Sequence, residues 1–181
     1  MDIKKIIKNY EKANEERQEF SGMLTDAYRY CIPSRNGWTT QSKGARNDII
    51  IYNSFPVSAV KTFASNILSM TTPNGLKFFD LKSKKQLSDI NSTEEQKNTA
   101  VEEFNKQVSP ISNAIFEYIV DSNWYISFHE ALIDLSAGTA GILCTYSGDD
   151  DDPLKFESLN MAKMAFSESS KGIIDNVYQS V

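Results

Sequence analysis

The 181-residue sequence has few cysteines, prolines and glycines and no long apolar run, and each of these absences excludes a class of protein or site. Its two cysteines, Cys31 and Cys144, lack the short paired spacing of metal or redox centres, so we expect buried free thiols. Five prolines and eight glycines are too few for a collagenous or low-complexity chain. No apolar run resembles a signal peptide or approaches the ~20 residues of a transmembrane helix. We therefore expect a soluble globular chain kept in a reducing compartment.

Basic residues are also scarce, with 19 Lys and Arg against 24 Asp and Glu, a net charge of -5. Because binding to the DNA backbone requires concentrated Lys and Arg, tight sequence-independent DNA binding is not expected. The charge is uneven: residues 1–90 carry 14 basic and 9 acidic side chains (+5), and residues 91–181 carry 5 and 15 (-10). This split is typical of two differently solvated surfaces, and it also suits head-to-tail packing of copies.

Apolar residues recur at helical spacing in several segments of the first 139 residues. The pattern predicts one long amphipathic helix over residues 2–31, ended by Pro33, and a second helix over residues 55–70, ended by Pro73. Ala64 lies on the apolar face of the second helix.

Two further helical segments follow. Ser92 and Glu95 form a capping box for a helix that we expect Pro110 to kink or split. Another helix is predicted from Trp124 to a glycine C-cap at Gly138. The predicted core consists of apolar residues on these helical stripes, namely Val57, Val60, Phe63, Ala64, Ile67, Leu68, Phe104, Ile115, Trp124, Phe128, Leu132 and Leu135.

Strand-like patterns occur twice. Residues 77–82, KFFDLK, alternate after a turn and predict a short strand, and from Ala140 onward short β-rich runs predict an antiparallel meander. The fold class expected is α+β, with a helical body over residues 1–139 and a β-meander over residues 140–181. Since the chain stops at Val181 within an apparent strand, we expect a fragment of a longer protein.

The candidates for chemistry are weak, and we assign no catalytic, cofactor-binding or metal-binding residue. The acidic run Asp149–Asp152 is better explained as a solvated hairpin turn than as a cation site, because it lacks the alternating ligands of calcium loops. His129 has helical spacing and no nucleophile motif nearby. The glycine-rich stretch Gly138–Gly141 follows a helix and precedes a strand, the reverse of a dinucleotide fingerprint.

Aromatic residues are frequent in the middle of the chain, and they are not interleaved with Lys and Arg as in a nucleic-acid stacking platform. We interpret them as core. They are Phe78, Phe79, Trp124, Tyr125 and Phe128.

Three blocks in order resemble the N-terminal part of the portal, or head-to-tail connecting, proteins of short-tailed phages. They are FSGMLTDAYRYCIPSR at 20–35, YNSFPVSAVKTFASNILSMTTPNGLKFFDL at 52–81 and SNWYISFHEALIDLSAGTAGILCTY at 122–146. GIIDNVYQSV at 172–181 is similar to the family's strand after a glycine turn. Asn53 stands where the family commonly has Asp, which affects local capping only.

The resemblance implies a structural virion protein, not an enzyme, without cofactors. It implies a subunit of a ring, usually of twelve copies, at one capsid vertex, through which double-stranded DNA is packaged and ejected without sequence-specific binding. Implied partners are the terminase large subunit, capsid or scaffolding proteins and tail adaptors, with assembly in the host cytoplasm. This chain would correspond to the wing, and the DNA-facing residues would lie beyond Val181.

Two alternatives remain open at this point. One is a metal-dependent phage or bacterial hydrolase or nuclease domain that uses Asp149–Asp152, or Asp134, to bind the metal. The other is a cytoplasmic adaptor with no role in the virion. Metal binding distinguishes the first, and the neighbouring genes distinguish the second.

Overall fold

The computed structural model describes residues 3–35, 52–82, 94–149, 152–169 and 171–179, with the backbone alone described for 94–100. Within these ranges the helices are α1 (Ile3–Gln18), α2 (Ser21–Tyr30), α3 (Phe55–Thr71), α4 (Glu94–Asp121) and α5 (Trp124–Leu135). The strands are β1 (Gly141–Tyr146), β2 (Leu154–Leu159), β3 (Met164–Glu168) and β4 (Ile174–Gln179). The protein is α+β, as predicted. None of the described helices has the length and apolarity to cross a membrane.

The strands form two antiparallel hairpins. β1 pairs with β2 from Gly141 opposite Leu159 to Tyr146 opposite Leu154. β3 pairs with β4, with a register irregularity at Ser167 and Glu168. The antiparallel pairing is as predicted, and in the described residues the meander is divided into two separate two-stranded sheets.

Helix α5 is the centre of the packing, in contact with α3, α4, β1 and β2, while α1 lies against β3. An aromatic cluster surrounds the start of α5, where Trp124 stacks on Phe128 at 4.8 Å and meets the edge of Phe156 at 4.9 Å between ring centroids. Phe78 stacks on Trp124 and contacts Phe116 of α4. The cluster thus holds two helices, β2 and the segment around Phe78 together.

The predicted single helix over residues 2–31 is wrong, because it is broken at residues 19–20 into α1 and α2. The Ser21 hydroxyl donates to the carbonyl of Gln18 at 2.8 Å. The amide of Phe20 bonds to the carbonyl of Arg17, a tighter pattern than that of an α-helix. Local side-chain bonds of this kind compete with the helical backbone pattern, and Gly22 adds little helix propensity.

The predicted strand at residues 77–82 is also wrong, since these residues form no strand ladder in the described chain. The segment lies along α4 instead. Ser112 accepts the Leu81 amide at 3.3 Å and donates to Asp80 at 3.2 Å, while the Lys77 ammonium donates to Asn113 at 2.9 Å. Side chains of a helix therefore satisfy polar groups that a neighbouring strand would otherwise bind.

Helix α4 contains Pro110 in its interior and continues on both sides of it. Of the two expected effects of Pro110, the split is wrong, because the lost amide donor falls on an exposed face where water can reach the freed carbonyl of Lys106. The kink stays a prediction. Helix α4 begins at Glu94. The capping box of Ser92 and Glu95 stays a prediction, because it lies outside the described side chains.

The predicted core is confirmed in part. Ala64 and Leu132 are buried. Those that are half-buried are Val57, Val60, Ile67, Leu68, Trp124 and Phe128. The prediction is wrong for Phe63, Phe104, Ile115 and Leu135, which are exposed because they lie on helix faces that no other described element covers.

Leu132→Ala should lower the free energy of unfolding by about 2–5 kcal/mol, because this side chain is 4% exposed and its removal leaves a cavity. Leu135→Ala is the matched control on the same helix, where the side chain is 40% exposed and the loss should be below ~1 kcal/mol. Denaturant melts of both variants measure the difference. Equal losses would contradict the packing described here.

Candidate functional site

The most highly organised polar site is a buried ion pair between Arg35, in the turn that follows α2, and Asp134, near the end of α5. The Asp134 side chain on α5 is fully buried, and Arg35 reaches it from the 3₁₀ turn Pro33–Arg35. Arg35 Nη2 donates to Asp134 Oδ2 at 2.6 Å, and Nε lies 2.9 and 3.0 Å from the two carboxylate oxygens. The Tyr28 hydroxyl donates to Oδ1 at 3.0 Å.

Three further residues complete this site, which we call the Arg35 cluster (Tyr28, Arg35, Glu130, Asp134, Ser158 and Asn160). Arg35 Nη1 donates to Glu130 at 2.8 Å, and Nη2 donates to the Ser158 hydroxyl at 2.9 Å. Asn160 Nδ2 donates to the backbone carbonyl of Arg35 at 2.9 Å. The cluster joins α2, the 3₁₀ turn, α5 and β2, so it fixes elements that are distant in the sequence to one another.

Local sequence explains how these groups reach each other. Asp134 follows Ser127 and Ala131 by seven and three residues, which places all three on the buried face of α5. Tyr28 follows Leu24 by one helical turn on the buried face of α2. The chain then turns at buried Ile32, whose carbonyl accepts the Arg35 amide at 3.1 Å, and Arg35 enters the space between α5 and β2.

The electrostatics of the cluster favour a neutral tyrosine and a charged arginine. Burial raises the pKa of Tyr28, and the negative charge of Asp134 and the hydrogen bond to it raise the pKa further. Burial lowers the pKa of Arg35, but its hydrogen bonds to Asp134 and the charges of Asp134 and Glu130 outweigh burial, so the pKa is raised overall. Arg35 therefore keeps its charge and compensates Asp134.

A second joint connects α1 to the start of β3. Arg17 Nη1 donates to the carbonyls of Met161, Ala162 and Met164 at 3.3, 2.6 and 3.0 Å, and Nη2 donates to Asn14 at 2.9 Å. One guanidinium thus bonds three carbonyls of the turn that leads into β3.

A third joint connects the start of α5 to β2. The Asn123 side chain accepts the Phe156 amide at 2.8 Å and donates to the Phe156 carbonyl at 2.7 Å. The Ser127 hydroxyl donates to the same carbonyl at 2.8 Å. These side chains take the place of a neighbouring strand on the edge of β2 that β1 leaves open.

The acidic run lies at the turn between β1 and β2, where Asp149 and Asp152 are exposed and Asp150 and Asp151 fall outside the described residues. The Ser147 hydroxyl bonds to the backbone carbonyls of Asp149 and Asp152. In the described ranges, no three His, Cys, Asp or Glu side chains are grouped as metal ligands. Arg35 and Tyr28 already bond both oxygens of Asp134, so its proposed role in metal binding has no support.

The other residues considered in the sequence analysis, His129, the two cysteines and Gly141, form no candidate site in the described part of the chain. His129 Nε2 lies 3.4 Å from the Ser65 hydroxyl, a contact between α5 and α3. Both cysteines are free thiols, but Cys31 is half-buried and Cys144 is exposed, so the expectation that both are buried is wrong. Cys144 lies on β1, opposite Phe156 of β2. Gly141 packs tightly, since a Cβ there would lie 3.1 Å from the Met164 sulfur.

Sequence reasoning did not identify Arg35, Arg17 or Asn123 as joints. One signal was present: an acidic residue, Asp134, stands in the buried stripe of an apolar helix, where a charge needs a partner. The partner is 99 residues away in the chain, and no local pattern indicates it.

These joints belong to an α+β protein, in which polar clusters fix helices and strands to one another. The family model of bacteriophage head to tail connecting proteins matches residues 3–181, and the chain belongs to this family. The resemblance seen in the sequence is thereby confirmed. Comparison with curated proteins gave no significant match.

The family consists of structural proteins and is not known to have enzymatic activity. Membership makes this chain a structural connector of the virion at the portal vertex, where it contacts components of the capsid and the tail.

Asp134→Ala should lower the free energy of unfolding by about 3–5 kcal/mol, because it leaves the Arg35 guanidinium buried without its main partner. Glu130→Gln is the control, since the Glu130 side chain is 47% exposed and its pair with Arg35 should contribute below ~1 kcal/mol. Chemical denaturation of both variants tests this. A small loss for Asp134→Ala would mean that the pair does not hold the fold together.

Tyr28→Phe should change the response of the protein to alkaline pH. A tyrosine in an unfolded chain ionises near pH 10, and the folded pKa of Tyr28 is raised above that value. The stability contributed by the neutral hydroxyl is therefore complete below pH ~10 and is lost as the pH rises toward the folded pKa. The difference in stability between wild type and Tyr28→Phe should narrow above pH ~10 in urea melts. Exposed Tyr30→Phe serves as control, and a constant difference would refute the assignment.

Proposed function

We propose that this chain is a subunit of the phage portal ring, with twelve copies, through which double-stranded DNA is packaged and later ejected. The observation that carries the proposal is the match of the connector family over residues 3–181. In the proposed ring the chain forms the wing, which contacts neighbouring subunits and the capsid shell.

The structure offers physical support for a mechanical role. The Arg35 cluster, Arg17 and Asn123 join elements distant in sequence by bonds of 2.6–3.3 Å. A subunit that transmits force between capsid and DNA motor needs such fixed joints, because its surfaces must keep their relative orientation. The partners proposed are the terminase large subunit, capsid or scaffolding proteins and tail adaptors, with assembly in the host cytoplasm. DNA passes without sequence-specific binding.

A nonsense mutation in this gene of the encoding phage tests the portal role. Without a portal, terminase has no docking ring, so infected cells should accumulate capsids that lack DNA, and a plasmid copy of the gene should restore packaging. Electron microscopy and DNA content of purified capsids give the readout. DNA-filled, tailless heads would instead indicate a connector added after packaging and would overturn the portal proposal.

A further inference from the structure

The contacts within the described ranges divide the chain into two bodies. The first consists of α1 and the β3–β4 hairpin, held together by packing of α1 on β3, by the bonds of Arg17 and by the ring contact of Tyr10 with Tyr178. The second consists of α2, the 3₁₀ turn, α3, α4, α5 and the β1–β2 hairpin. Arg35 and Asn123 join elements of this second body, so each joint makes one body rigid.

The order of the elements makes the chain pass between the two bodies at two places. It leaves the first body at residues 19–20, between α1 and α2, and returns to it at residues 160–163, between β2 and β3. At residues 19–20 the α-helical bonding is interrupted, because the Phe20 amide bonds to the Arg17 carbonyl at 3.1 Å. Backbone rotation is less restricted at such a break than inside a continuous helix.

The return crossing has its own point of attachment, the side chain of Asn160. Its Nδ2 donates to the carbonyl of Arg35 in the second body, and its Oδ1 accepts the amide of Ala162 in the turn that Arg17 holds to the first body, both at 2.9 Å. Two bodies that are attached at two points keep one rotation, about the line through those points. Here that line runs through residues 20 and 160.

A cleft of about 620 Å³ lies between the two bodies. Phe20 and Met161, one from each crossing, both line it. The walls come from both bodies, with Ala13, Phe166 and Glu168 on one side and Met23, Leu24 and Thr139 on the other. Rotation about the line through the crossings therefore changes the width of this cleft.

Beside the cleft, methionines of one body lie on glycines of the other. A Cβ at Gly138 would lie 3.5 Å from the Met161 Cε, and a Cβ at Gly141 would lie 3.1 Å from the Met164 sulfur. Methionine is unbranched and has three rotatable bonds, so it fills irregular spaces and adapts to changes in them. Glycine has no side chain that could interlock with it. This contact can therefore adjust as the bodies rotate.

We infer that the two bodies rotate about the line through residues 20 and 160, and that the cleft between them opens and closes. Closure is favourable for Phe20 and Met23, which are 58% and 63% exposed and would lose contact with water. Surfaces on the same body keep their relative orientation, while surfaces on different bodies change theirs. The inference concerns the single subunit and does not depend on the portal proposal.

Distances between nitroxide labels test the rotation, in a background in which both native cysteines are replaced by serine. Labels at Asp26→Cys and Asp175→Cys lie on different bodies. Asp26→Cys with Glu157→Cys is the control within the second body, and Lys12→Cys with Asp175→Cys is the control within the first. All four positions are exposed, so the labels should not disturb folding.

Double electron–electron resonance on frozen samples gives the distance distribution of each pair. The distribution between the bodies should be about twice as wide as either control, because freezing traps the range of hinge angles. Equal widths for the three pairs would overturn the rotation. A control as broad as the pair between the bodies would show that the bodies are not rigid, and would overturn it too.

A second variant tests the position of the hinge. Ser21→Ala with Gly22→Ala removes the hydroxyl that bonds to Gln18 and adds a Cβ with no other atom within 4 Å, so the helix should continue through the break. Ser69→Ala is the matched control, because the Ser69 hydroxyl bonds in the same way to the carbonyl three residues earlier in α3.

In the double variant, the distribution between the bodies should narrow toward the widths of the controls, while Ser69→Ala should leave it unchanged. No narrowing, or the same narrowing in both variants, would refute the assignment of the hinge to residues 19–20. None of these results affects the portal proposal, which the DNA content of mutant capsids decides separately.

Discussion

The pairing of Arg35 with Asp134 is the interaction on which the arrangement of the rest depends. A carboxylate with no solvent exposure is tolerated only if a partner and hydrogen bonds replace its hydration. Arg35 and Tyr28 supply these bonds, and Arg35 continues to Glu130 and Ser158. Because few geometries satisfy all these groups at once, the pair restricts how the end of α2, the second half of α5 and β2 are oriented.

At the edges of the two hairpins, side chains likewise satisfy polar groups that would otherwise lack a partner. A two-stranded sheet leaves backbone donors and acceptors open on its outer edges. Asn123 and Ser127 satisfy those of Phe156, and Arg17 satisfies carbonyls in the turn before β3. The hairpins are thereby attached to helices by hydrogen bonds as well as by apolar contacts, and neither has to be stable alone.

The parts of the fold that could be predicted are those that depend on local periodicity. The apolar stripes indicated α3 and α5, and the β-rich runs after residue 140 indicated antiparallel strands. The break between α1 and α2 and the irregular segment at residues 77–82 could not be predicted, because Ser21 and Ser112 act there through hydrogen bonds that no hydrophobic pattern shows. Periodicity also does not indicate that Arg35 is the partner of Asp134, since the two residues lie in different elements.

The core predicted from helical periodicity was too large, because some of the apolar residues with this spacing lie on exposed helix faces. Phe104 and Ile115 have the spacing of core residues, yet the chain supplies nothing described to cover them. Monomeric proteins rarely leave large contiguous apolar surfaces in water, and such surfaces are typical of contacts between proteins. Helical periodicity therefore does not distinguish an apolar face that is buried within the chain from one that is left exposed. Fixed internal joints and uncovered helix faces are complementary, because a face can meet a neighbour reproducibly only if the body that carries it keeps its shape.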